Sequence, residues 1–209
     1  MQTWYNRIAG QNLERLAALS DGIFAVAMTL LVLDIHPPAS ALVNSEQQFW
    51  QMLGHSAPQC AMFLMGFLTL GIFWNGQQTQ INHFIRADRN LVWIHLAFLA
   101  LICLMPFSTS LLAQFITYRG ALLVYWSNIL LLGLVLYWGW RYARKAGLVK
   151  DDVSYETSCA IEKRIIIAQS LYLLGALLCF YDTALSIGFI FLVQLNYAVA
   201  PRIRFLERL

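Results

Sequence analysis

Charge is what this sequence has least of. Only 12% of its 209 residues are charged, against about 25% in an ordinary soluble domain, while 59% are apolar and the mean hydropathy is +0.60. A single soluble domain cannot hide that much apolar surface, so the composition excludes a soluble enzyme or binding module. It points instead to a multi-span membrane protein. Cysteine is scarce and scattered: Cys60, Cys103, Cys159 and Cys179 lie too far apart for metal-ligand spacing or a disulfide framework, and they read as small buried hydrophobes. The chain also lacks a P-loop, HExxH, GxSxG, a dinucleotide fingerprint and CxxC. No nucleophile–base pair or metal-ligand set can be assembled, which argues against an enzyme and against a bound cofactor. A basic–aromatic surface for nucleic acid is missing too. The N-terminal MQTWYNRIAGQNLERL has no cleavable signal pattern, so nothing is expected to be removed from it.

What is present is a series of long apolar runs. Six spans can be drawn, at about 16–35, 49–75, 90–114, 120–140, 164–181 and 183–201, each near the ~20 residues that a crossing helix needs. Unbroken runs of this length suit helices rather than barrel strands, so the expected fold is an all-α membrane protein. Pro58 puts the regular part of the second span at about Gln59 onward, and Pro106 predicts a kink in the third. The last two spans follow so closely that they must form a tight hairpin. With no extramembrane piece large enough to be a domain, residues 1–209 read as one six-span unit. The 141–164 segment is read as a solvated turn or an extra helical turn.

With six spans, 13 of the 14 basic residues fall on one side and only Arg119 on the other. The positive-inside rule then places both termini in the cytoplasm. Trp50, Trp74, Trp93, Trp138 and Trp140 sit near span ends, as interfacial aromatics do.

The first span, with its entry, RLAALSDGIFAVAMTLLVLDI over 15–35, is the most informative stretch. Of eleven acidic residues ten lie in loops, tails or at span ends; Asp21 is the exception, and such a group needs partners. Arg15 and Asp21 differ by six positions, roughly 240° around a helix, and so cannot pair on one face. By depth, the candidate partners are Trp74, Gln77, Asn90, Trp93 and His95. The simpler alternative makes Ser20 the cap of a helix beginning at Asp21, but that leaves too few residues to cross a bilayer. Val26, Thr29, Leu30 and Leu33 stand at i, i+3, i+4 and i+7, flanked by the small residues Gly22, Ala25 and Ala27. Such a stripe is either a packing seam inside a bundle or a pore wall with an apolar constriction and one hydroxyl ring.

Arg15-x-x-x-Leu19-Ser20-Asp21-Gly22 resembles the R-x-x-x-F-S-D signature of the transmembrane-protein-175 potassium channels, which occur in endolysosomes and, as a shorter single-repeat form, in prokaryotes. The run Ile23 to Leu33 is similar to that family's pore helix, and Asn90-Leu91-Val92-Trp93 and Leu104-Met105-Pro106-Phe107-Ser108-Thr109 to its third-span pattern. Two positions depart: Leu19 replaces Phe, and Gln77 stands where a W-x-x-H pattern from Trp74 has His. The resemblance implies a homotetramer in a prokaryotic cell membrane, with four first helices lining a central pore. Val26, Leu30 and Leu33 would form the constriction, and Thr29 would supply the hydroxyl ring to potassium, the only ion or cofactor implied. Arg15, Ser20, Asp21, Trp74, Asn90, Trp93 and His95 would form a structural polar network. The TVGYG filter is absent, so modest selectivity for potassium over sodium is expected. The competing readings are a proton-permeable channel, a proton-coupled transporter relaying through Asp21 and His95, and an assembly protein that transports nothing.

Overall fold

A computed structural model describes residues 12–36 and 45–199. Arg7, Arg202, Arg204, Arg208 and the far end of the sixth span lie outside them. The described residues form α-helices and short 3-10 turns and contain no strand. Five helical segments are long and apolar enough to cross a membrane, and a sixth apolar helix of 17 residues completes the series.

The first helix, α1 (Leu13–Leu30), begins where the Asn12 side chain accepts the Arg15 backbone N–H, and it tightens into a 3-10 turn over Leu31–Asp34. Ser20 is therefore mid-helix, not a cap. The second span is two helices, α2 (Glu46–His55) and α3 (Ala57–Asn82), which meet at Ser56 just before Pro58. At 26 residues α3 is roughly 39 Å long and runs well past Trp74. Hydropathy reads Gln77-Gln78-Thr79-Gln80 as a loop, but glutamine is a good helix former, and Gln77 and Gln80 are buried there.

The third span breaks at Leu104 into α4 (Arg89–Cys103) and α5 (Met105–Gln114). Pro106 sits in the first turn of α5, where its missing N–H costs nothing, and it cannot continue the ladder of α4. The longest helix, α6 (Arg119–Lys145), ends in a Schellman turn: Gly147 takes φ 66°, and the Leu148 N–H reaches the Ala143 carbonyl at 2.9 Å. Next, α7 (Tyr155–Leu177) starts nine residues earlier than its apolar run suggests, since its polar first turns are held by a Ser154 cap and an Arg144–Glu162 ion pair at 2.6 Å. What hydropathy left as a 24-residue loop is thus mostly helix. Finally α8 (Thr183–Val199) returns along α7 after a turn in which Asp182 accepts the Leu185 N–H at 2.8 Å.

The main core gathers inward residues of every long helix, with Phe24, Met65, Phe98, Ile102, Tyr125 and Ile190 fully buried. Close approach is needed at Gly66, where an added Cβ would lie 2.9 Å from Thr109 and 3.1 Å from Leu31. A smaller core ties the α3–α4 and α6–α7 connections together. There Phe84 stacks on Trp140 at 5.9 Å, and Ile85 and Lys150 exchange backbone bonds with Leu148 and His83.

Two expectations are corrected at this level. Trp140 is not an interfacial anchor but fully buried, because the small core encloses the end of α6; Trp50, Trp93 and Trp138 are exposed as expected. Of the cysteines only Cys179 is buried. Cys60 and Cys103 face outward, where an apolar thiol suits lipid as well as it suits a core.

Candidate functional site

The two sides of α1 do different things. Leu16, Ser20, Phe24, Ala27 and Leu31 recur at helical spacing and are buried against α3, α4 and α5. On the opposite side Ala18, Gly22, Ala25 and Thr29 form a stripe of small residues flanked by the larger Val26, Leu30 and Leu33. Val26 is 57% exposed, Leu30 44% and Leu33 68%. The stripe therefore does not pack inside this subunit. Ala18, Leu19, Gly22, Val26 and Leu30 line an open apolar groove together with Cys103. Nothing lies within 4 Å of a Cβ built on Gly22, so another helix can come close there.

Thr29 is the polar point of that face. Its hydroxyl donates to the Val26 carbonyl at 2.8 Å, a bond within the helix itself. The proton is committed to the backbone, and the oxygen lone pairs are left facing outward. A hydroxyl in this state can accept from water or coordinate a cation.

The entry of α1 is pinned to α3. The Ser20 hydroxyl donates to Gln77 Oε1, both side chains being fully buried. Asp21 Oδ1 accepts from Trp74 Nε1 at 2.8 Å and from Gln78 Nε2 at 2.7 Å. Glutamine at 77, where the family pattern has histidine, thus still supplies an acceptor for Ser20. Gln78 escaped the sequence reading, although its i+4 spacing from Trp74 puts both on the face that meets Asp21.

The remaining residues of the expected network are elsewhere. Arg15 lies in the first turn of α1 on the outward side, and among the described residues its side chain has no partner. Asn90 donates to Tyr142 at 3.0 Å, and Tyr142 donates to Asp88 at 2.6 Å, a separate cluster joining α4 to α6. Trp93 points outward, 61% exposed. His95 is buried, bonded to the Leu91 carbonyl at 3.0 Å and edge-on to Phe84. It lines a small cavity with Gln77 without bonding to it. Of that expected network only Ser20, Asp21 and Trp74 lie at the α1–α3 contact, Ser20 on Gln77 and Asp21 on Trp74 and Gln78.

Two further buried polar clusters went unread. Gln194 donates to Thr69 at 2.6 Å and to Tyr125 at 3.2 Å, linking α8 to α3 and α6. Asn128 meets Ser108 at 3.3 Å. A lone glutamine in FIFLVQLNY was signal enough for the first. Among the described residues no group of three or more His, Cys, Asp or Glu could hold a metal ion.

Comparison with known proteins finds similarity to ion channels. The family described as endosomal/lysosomal potassium channel TMEM175 matches residues 15–106, from the start of α1 to the Pro106 break. A protein named potassium channel from Streptomyces collinus is 34% identical over 102 residues, 49% of this chain and 48% of its own length. Another so named, from Chamaesiphon minutus, is 29% identical over 88% of this chain and 93% of its own. The rat protein named endosomal/lysosomal proton channel TMEM175 is 24% identical over 95% of this chain, which spans only 39% of the rat protein. The crystal structure of a lysosomal potassium-selective channel TMEM175 homolog from Chamaesiphon minutus superposes with a TM-score of 0.79 at 27% identity, covering 91% of this chain and 98% of that one.

Proposed function

Since the chain belongs to the TMEM175 channel family and is an integral membrane protein, we infer that it is a passive cation channel with a modest preference for potassium over sodium, built as a homotetramer. One observation carries this reading: α1 is stapled to its own subunit on one side and presents Val26, Thr29, Leu30 and Leu33 unpartnered on the other. One helix cannot enclose a path, and cyclic symmetry supplies the others. Four copies of α1 around an axis turn Val26 into an apolar constriction that resists wetting, with Leu30 and Leu33 continuing the narrow wall. They turn Thr29 into a ring of oxygens whose protons already point at the backbone. Each step asks only for side chains, since no carbonyl filter is encoded. Potassium is the permeant ion, and no cofactor takes part. Both termini lie in the cytoplasm, and the membrane is a prokaryotic cell membrane.

The test is flux in liposomes under potassium and then sodium gradients. Wild type is expected to favour potassium. Val26→Asn should raise the flux about tenfold, as lowering a barrier by ~1.4 kcal/mol does. Thr29→Val should bring the two ions toward parity. Unchanged flux in both variants would remove the pore assignment. Proton permeation is the second reading, favoured by the name of the rat relative. A pH-sensitive dye inside the same vesicles reads it directly: acidification without a potassium preference selects it.

A further inference from the structure

Away from α1, the surface between α7 and α8 holds a feature that the channel reading does not use. Lys163, Arg164, Asn196 and Tyr197 line one end of an open groove of about 740 Å³, and Ile167 and Leu171 form its apolar continuation. Arg164 and Tyr197 also edge a second, tighter space of about 80 Å³ that leads inward past Ile165 and Ala168 to Gly76 and Tyr172. The Arg164 guanidinium lies 5.9 Å from the Tyr197 ring centre. Among the described residues neither Lys163 nor Arg164 pairs with a carboxylate, and the neighbouring Glu162 is taken by Arg144 at 2.6 Å. Glu156 lines the groove two turns away, leaving an excess of positive charge.

We propose that this groove binds an anionic phospholipid, its phosphate on Arg164 and Lys163, its acyl chains along Ile167 and Leu171, and a few carbons of one chain entering the space between α3, α6, α7 and α8. The shape and charge call for an amphiphile. A free anion has no use for the apolar continuation, and a neutral lipid has none for two unpaired cations. Cations between spanning helices at headgroup level are where negative lipids are held. Assignment to the cytoplasmic leaflet follows from the orientation given above; binding itself does not depend on it, nor on ion conduction.

Native mass spectrometry of the full-length protein in detergent, titrated with phosphatidylglycerol and separately with phosphatidylcholine, decides the matter. Phosphatidylglycerol should bind preferentially. Arg164→Gln should weaken it roughly fivefold, and the double variant with Lys163→Gln roughly twenty-five-fold. Arg141→Gln, a cation at a similar level that sits against Tyr137 outside the groove, should leave it unchanged. Ala168→Leu, which narrows the inner space, should weaken the lipid while the protein's melting temperature stays that of the wild type. Equal affinity for the two lipids, or phosphatidylglycerol binding untouched in the double variant, overturns the proposal. So does competition by inorganic phosphate alone with no effect of Ala168→Leu, which would make the site one for a free anion.

Discussion

Ser20 and Gln77 show how much a single polar pair costs when it is broken inside this bundle. Both side chains are fully buried, so Ser20→Ala leaves Gln77 Oε1 without a donor and should destabilise the subunit by about 1–3 kcal/mol. Replacing both, as Ser20→Ala with Gln77→Leu, removes the orphan as well as the bond and should recover most of that loss. Thermal unfolding of the two variants in detergent checks it; a double variant no better than the single would mean that the pair is not a closed unit. Trp74→Phe should cost less, about 1 kcal/mol, since Gln78 still serves Asp21 and the site is half exposed. At this scale the sequence was partly legible. An acid inside a span demands donors; depth picked out Trp74 correctly, but Gln77 pairs with Ser20 instead and Asp21 takes its second bond from Gln78. Depth could not separate Trp74 from Asn90 and Trp93, because which face of α4 turns toward α1 is decided by packing. Arg15 was misjudged for the same reason: its spacing excluded Asp21 as a partner but said nothing about whether it had another.

Individual elements are governed by glycine and proline at a few positions. Gly66 lets α3 meet Thr109 of α5 and Leu31 beyond α1, so Gly66→Val should overpack this junction and cost about 1–3 kcal/mol in unfolding. Gly147 holds a left-handed backbone that closes α6, and Gly147→Ala should cost about 1–2 kcal/mol, although no atom lies near the new methyl. A melting temperature unchanged by the latter substitution would mean that the turn relaxes freely. Helices were readable wherever apolar residues ran on, and Pro106 marked the α4–α5 break. Their ends were not readable where polar residues remain helical. The glutamines closing α3 and the charged first turns of α7 owe their helicity to buried partners and an ion pair that lie far off in sequence.

The whole subunit is built inside out relative to a soluble domain. Its buried polar pairs sit between helices, while Leu131, Leu134, Trp138 and Leu192 face outward, as lipid contact requires. Exposure alone does not distinguish a lipid-facing side chain from one facing a pore or a second subunit. For α1 the distinction rests on its small residues, its outward hydroxyl and the staple that fixes its rotation. Thiol accessibility separates these cases most directly. With Cys60, Cys103 and Cys159 replaced by serine, cysteine is introduced as Val26→Cys, Leu33→Cys and, on an outward position of α6, Val124→Cys. A water-soluble thiol reagent is then applied while potassium flux is followed in liposomes. Block at positions 26 and 33, with flux through the Val124→Cys protein unaffected, is the expected result. Flux that survives modification at 26 and 33, or falls equally at 124, would contradict a pore lined by this face of α1.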